Sequence, residues 1–275
     1  MTLWPFALGL AALVTISRGH VLVPNVQCGT PDPTDELIMV AQQAARNESL
    51  LTGAGLTPKD VINVPMYIHV VSSSKDNFTK EEAIVESIKV MNDNFAKTGF
   101  HFNLKKIDYT ANASWSDDQD RMAMYTQLRK GDYGTLNIFF LDRVYASSPD
   151  DRGKRERVDG QCAFPTVIED EDVITKDGCI VAADVLADKQ TTTHEVGHWL
   201  GLYHTFHNGC DGDGDFVDDT PYCRASFSCN ESAKSCLNKP GNDPVHNFMS
   251  YGSCRNEFTP GQAARAKNQY YHFRA

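Results

Sequence analysis

One stretch constrains this chain more than any other: His194-Glu-Val-Gly-His198-Trp-Leu-Gly201-Leu-Tyr-His204. On a helix, His194 and His198 are four residues apart, so their rings leave one face about a turn apart. Two imidazoles in that relation can reach one zinc ion at roughly 2.0–2.1 Å. Gly201 can take the left-handed conformation that ends a helix sharply. Such a turn swings His204 back to the same metal as a third ligand. Three protein ligands leave a fourth position open, which is the layout of a catalytic site and not a closed structural one. Glu195 follows the first ligand and sits beside the metal, placed to take a proton from water. The plain alternative is a helix whose histidines only pack or face solvent. A bare His-Glu-x-x-His would leave that alternative real weight; the glycine and third histidine at these offsets remove most of it.

A second element lies downstream, Asn247-Phe-Met249-Ser-Tyr251. Met249 alone would be ordinary core. After the histidine stretch it reads as a turn that lays an apolar floor under the ligands. Tyr251 is a candidate catalytic residue, with its hydroxyl near the metal. Its bland reading is a buried tyrosine with some other hydrogen-bond partner.

The chain has 275 residues, 41% hydrophobic and 23% charged, with a net charge of −10. That is a globular composition. The negative balance argues against nucleic acid or an anionic membrane surface as partner. Residues 1–19 end in Ser17-Arg18-Gly19 after an apolar run from Leu3 to Ile16. They read as a signal peptide cut before His20, against the alternative of a buried helix. No later segment is apolar and long enough to span a membrane. Sequons at Asn47, Asn77, Asn112 and Asn230 agree with export. So do 8 cysteines, six of them from Cys179 onward, which in an exported protein read as disulfides.

Pattern places a helix from Thr34 to about Asn47, and a linker over Leu51–Pro58. Residues 20–59 then form an N-terminal pro-segment and 60–275 the main domain. Val61–Val71 reads as a strand, with Pro65 marking an edge or bulge. Thr79 to Glu82 has capping-box form and opens a helix to about Thr98. Phe100–Tyr109 and Thr135–Val144 read as strands, Ala187–Leu200 as the histidine-bearing helix, and Pro260–Tyr271 as a last helix. The order predicts an α/β (α+β) chain with a twisted mixed sheet and a packed helix.

With these residues in view, the chain resembles the metzincin clan of metallopeptidases. Within it the chain is similar to the pappalysin family and its small secreted cytophagalysin-like members. The stretch from His194 to His204 continues into Thr205-Phe206. Gly212-Asp-Gly-Asp-Phe-Val-Asp-Asp-Thr-Pro221, Asp243 to Tyr251, and Phe258-Thr-Pro-Gly-Gln262 also carry the likeness. The resemblance implies a zincin-like fold: sheet, backing helix and active-site helix above, an irregular disulfide-stapled half with a C-terminal helix below, and substrate between. It implies hydrolysis of peptide bonds in protein or peptide substrates by a secreted enzyme, with structural calcium common. It favours the pairs Cys210–Cys236 and Cys229–Cys254, with Cys162–Cys179 closing a loop ahead of the active-site helix.

Asp211, Asp213, Asp215, Asp218 and Asp219 form a dense acidic run that departs from an EF-hand at Phe216 and Tyr222. Asp215, Asp218 and Thr220 are the candidate calcium ligands; the alternative is a solvated acidic loop. Cys28, in Gln27-Cys-Gly-Thr30, is left with Cys223. It is either a thiolate occupying the fourth zinc position of a zymogen or half of a Cys28–Cys223 disulfide. The leading expectation is a monomeric secreted zinc endopeptidase. Its rivals are a catalytically silent binding protein or toxin on the same fold, and a structural module that zinc only folds.

Overall fold

The structure is a computed structural model, and it describes residues 26–53, 61–146 and 155–275. The expected signal peptide, 1–19, and most of the expected linker lie outside the described residues. The elements in order are β1 (Val26–Cys28), α1 (Asp35–Gly53), β2 (Ile62–Ser72), α2 (Glu81–Phe95), β3 (Phe100–Ala111), α3 (Ala113–Ser116), α4 (Arg121–Leu128), β4 (Leu136–Leu141), β5 (Val144–Tyr145), β6 (Arg157–Cys162), α5 (Glu171–Thr175), β7 (Cys179–Ala182), α6 (Thr191–Trp199) and α7 (Pro260–Phe273).

Alternation builds the sheet. Val64, Met66, Ile68 and Val70 of β2, with Ile138 and Phe140 of β4, face one side. There they meet Ile84, Ile88, Met91 and Phe95 of α2 and Val196 and Trp199 of α6. Val71, Phe139 and Leu141 face the other side, which Trp115 of α3 and Met124, Tyr125 and Leu128 of α4 cover. Both faces are therefore buried, and β4 is buried along its whole length, as a central strand must be.

The sheet runs β1-β6-β7-β4-β2-β3, with β5 also on β6. Its pairs are parallel except β5–β6 and β6–β7, so the expected mixed α/β sheet is present. Pro65 marks a bulge and not an edge. The β2–β3 register shifts at Met66/Tyr67, and β2 lies between β3 and β4. Pro65 precedes the first residue paired with β4, so its missing N–H disturbs no bond there.

Three expectations need correction. The capping box at Thr79 does not form: α2 starts at Glu81, and Lys80 caps it without a side-chain bond. A full capping box sits instead at Thr259 and Gln262, ahead of α7. The histidine helix is shorter than 187–200. Lys189 has φ +60°, and Asp188 accepts from the backbone N–H groups of Gln190 and Thr191, so the chain turns there and α6 begins at Thr191. Finally, α1 continues to Gly53, into the segment read as linker.

Below the sheet, residues 201–259 hold no helix or extended strand. Disulfides Cys210–Cys236 and Cys229–Cys254 tie that half together, and Cys162–Cys179 joins the ends of β6 and β7. Cys28 and Cys223 are both buried free thiols. The N-terminal segment does not stand apart: β1 pairs in parallel with β6, and Leu37 and Ala41 of α1 pack with Tyr203, Phe164, Phe216 and Phe273.

Candidate active site

Helix α6 ends in a Schellman turn. The Gly201 N–H donates to His198 O (2.8 Å) and the Leu202 N–H to Gly197 O (2.9 Å), with Gly201 at φ +84°. A Cβ at Gly201 would also lie 2.7 Å from Gln269. This turn brings His204 back beside the helix. The Nε2 atoms of His194, His198 and His204 form a triangle with every side 3.2 Å. Tetrahedral ligands about 2.0–2.1 Å from one zinc ion stand roughly 3.3–3.4 Å apart, so the triangle is one face of a zinc-sized tetrahedron.

The far ring nitrogens of His194 and His198 are spoken for. His194 Nδ1 bonds Phe248 O at 2.6 Å, and His198 Nδ1 bonds Leu202 O at 2.8 Å. A carbonyl accepts only, so each Nδ1 carries the proton and each Nε2 presents a lone pair. Burial holds all three rings neutral: His198 falls to about 4, and His194 and His204 go well below the usual histidine range. Three neutral lone pairs aimed at one point repel unless a cation lies between them. The donors fit a zinc ion.

Cys28 completes the group. Its Sγ lies 3.4 Å from His198 Nε2, and the four candidate donor atoms all lie within 4.8 Å of one another. Among the described residues this is the cluster that can hold a metal. Without a cation, burial and then the Glu195 carboxylate push the Cys28 thiol up. A Cys28–Cys223 disulfide is not formed; the Cys223 thiol instead faces Thr205 Oγ1 at 3.7 Å.

Glu195 is fully buried beside this cluster. Its Oε2 accepts from the Thr30 hydroxyl at 3.1 Å and faces the Cys28 thiol at 3.7 Å; its Oε1 has no partner. Burial pushes its carboxyl up to about 8. Gly160 of β6 makes the room, since a Cβ there would lie 2.8 Å from Glu195 Cγ.

The turn at 247–251 supports the helix from below. Met249 is fully buried, and a Cβ on Gly197 would meet its sulfur at 2.5 Å. Met249 O accepts from the Thr205 N–H at 3.1 Å, which ties down the residue after His204. Tyr251 stands over the cluster, its ring 5.1 Å from that of His204 and 5.9 Å from that of His194. Burial pushes its phenol up.

The acidic run divides. Asp219 caps α7, accepting from the Thr259 hydroxyl at 2.6 Å and the Gly261 N–H at 2.8 Å. Asp215 is buried; its Oδ1 accepts from Thr220 Oγ1 at 2.5 Å, and its Oδ2 has no partner. Asp218 is exposed.

Sequence reasoning missed four residues here. Thr30 and Gly160 touch Glu195, Phe164 packs edge-on against His198, and Asp177 binds the Trp199 indole N–H at 3.0 Å. Cys28 stands out in the sequence, but a threonine two residues on and a glycine in a polar strand carry no local signal of what they will touch.

Comparison with known proteins agrees with this geometry. The M43 peptidase family model, described as pregnancy-associated plasma protein-A, matches residues 164–270. An extracellular metalloprotease of Pyricularia oryzae is 38% identical over 265 residues, 90% of each chain. One from Neurospora crassa is 37% identical over 98% of this chain and 94% of its own. Among solved structures, a Tannerella forsythia promirolysin variant matches with TM-score 0.60 at 22% identity, covering 89% of this chain and 93% of its own. Mature mirolysin in complex with a cleaved peptide matches with TM-score 0.57 at 24% identity, covering 76% and 92%. The chain belongs to the M43, or pappalysin, family of zinc metallopeptidases within the metzincins.

Proposed function

We propose that the chain is an exported endopeptidase made as a zymogen, with residues 20–59 as its pro-segment and Cys28 as the group that silences the metal. The observation that carries this reading is β1. It lies on β6 beside the cluster and brings the Cys28 thiol among the three histidines. A strand added to a sheet edge is how such a cleft binds an extended peptide, so the segment and a substrate compete for one edge. Export accords with relatives named extracellular metalloproteases and with the absence, among the described residues, of a helix long and apolar enough to cross a membrane. The sequon residues Asn77 and Asn230 are exposed.

In the reaction His194, His198 and His204 hold the metal. When bound, zinc supplies a Lewis acid that polarises the scissile carbonyl and acidifies water. Glu195, in a dry pocket, takes the proton of the attacking water and passes it to the leaving amine. Tyr251 donates a hydrogen bond to the developing oxyanion.

The full chain carrying Cys28→Ala is expected to digest casein without any cut in the N-terminal segment. The gain over the uncut wild type is at least roughly tenfold, since about 1.4 kcal/mol of lost occlusion is a factor of ten. A chelator should abolish it. A Cys28→Ala chain that is zinc-loaded, uncut and still latent would falsify the switch.

A calcium ion at Asp215, Asp218 and Thr220 is the second metal of this reading, supported by the unpartnered Asp215 Oδ2. Burial pushes the Asp215 carboxyl up to about 7. A carboxyl raised in the folded state stabilises most below its unfolded pKa, and that contribution is lost as pH rises through the folded value. Without calcium, Tm is therefore expected to fall between about pH 4 and pH 7, and Asp215→Asn should remove that part of the fall. Calcium, which needs the ionised form, should restore Tm at the high end in the wild type only. Melting scans with EGTA or calcium decide; equal curves for both proteins rule the site out.

A further inference from the structure

A cavity of about 360 Å³ opens beside the end of β6, walled by Met122 and Tyr125 of α4, Cys162, Ala163 and Gly178. The mechanism above does not use it. Its wall is mainly apolar; Gln161 and Arg121 also line it, the Arg121 guanidinium being paired with Asp118. Lys176 reaches its rim, but its ammonium is paired with Asp172 at 3.1 Å. The volume is more than enough for one large side chain, since a cavity of about 150 Å³ holds a benzene ring.

The chain itself marks the route from metal to cavity. Cys28 sits at the cluster. The Gly29 N–H donates to Gly160 O at 2.8 Å. The Thr30 hydroxyl accepts from the Cys162 N–H at 3.0 Å. Pro31 is the next residue, and it lines the cavity. A backbone extended along β6 thus spans about 10 Å from the centre in three residues. A substrate strand that replaces β1 on the same edge follows the same line.

Resting on the peptidase reading, we infer that this cavity is a specificity subsite. It takes a large apolar side chain, such as Leu or Phe, about three residues from the scissile bond. Filling it on binding rewards an apolar residue there by roughly tenfold or more in kcat/KM over Asp or Ala.

The test starts with the active protein as it is secreted from the full gene. Its cuts in a peptide mixture are mapped by mass spectrometry, alongside casein digestion. Apolar residues should be enriched about three positions from the cut on one side. Matched peptides with Phe or Ala there should differ about tenfold. In Met122→Asp that ratio should fall toward one; Met122 is 37% exposed, so the fold tolerates the change. Ala163→Leu, which adds bulk to the wall, should shrink the preference for Phe as a second, independent variant. Casein digestion without apolar enrichment, or a Phe/Ala ratio kept in both variants, overturns the subsite and leaves the peptidase standing. No casein digestion at all sinks the peptidase reading, and the subsite with it.

Discussion

Glu195→Gln is expected to keep the metal and to lower peptide hydrolysis by about 10³-fold. Glutamine has the same shape, so it fits the space that Gly160 leaves and keeps an oxygen for the Thr30 hydroxyl. It cannot carry a proton from water to an amine. Glu195 is also not among the four donors that face the metal position. Metal content by emission spectroscopy should therefore match the wild type while kcat/KM collapses. Near-normal turnover in the zinc-loaded variant would remove Glu195 from its role, and metal loss would show that it holds the ion instead.

Arg274→Ala is expected to cost about 3–5 kcal/mol of stability, the size of breaking a buried ion pair from one side. Arg274 and Asp177 are both buried. Two parallel hydrogen bonds of 2.9 and 3.0 Å join them. The guanidinium also donates to Trp199 O at 3.1 Å and Tyr133 O at 3.1 Å and lies over the Trp199 ring at 3.9 Å. Trp199 is the last residue of α6, so the network clamps the end of the helix that carries two candidate ligands. Without it Asp177 keeps only the Trp199 indole and a distant Arg129, 3.7 Å away. Denaturant unfolding measures the loss. Replacing both partners by methionine should recover most of it, because no buried charge is then left alone. A loss under about 1 kcal/mol in the single variant would mean that water reaches the pair.

The parts of the site that were legible in the sequence are those written within a few residues. His194 and His198 are related by helix geometry alone, and His204 by the sharp turn that Gly201 makes at the helix end. The parts that were not legible depend on partners far away in the chain. Thr30 and Glu195 are 165 residues apart, and Asp177 and Arg274 are 97 apart. Nothing in either neighbourhood announces the other. The same split runs through the fold. β2 and β4 are apolar enough to declare themselves. The polar strand β6, Arg157 to Cys162, is recognisable only through the neighbours it pairs with. Helix α6 begins at Thr191 and not Ala187 because the Asp188 side chain bonds the backbone N–H groups of Gln190 and Thr191 in a turn that competes with helix.

If the chain is a zymogen, the pairing of β1 with β6 bears on when activity switches on. Under the zymogen reading proposed above, the strand that carries Cys28 is held beside its edge, while the chain is whole, at an effective concentration on the order of millimolar. Soluble substrate competes poorly against that. One cut between α1 and β2 turns the same strand into a free peptide, whose hold depends on how much of it surrounds each enzyme. In a crowded compartment many such peptides remain seated. In the open medium they are diluted away. On that reading, release of the protein into a large volume would act as the second half of its activation, after the cut and without further chemistry.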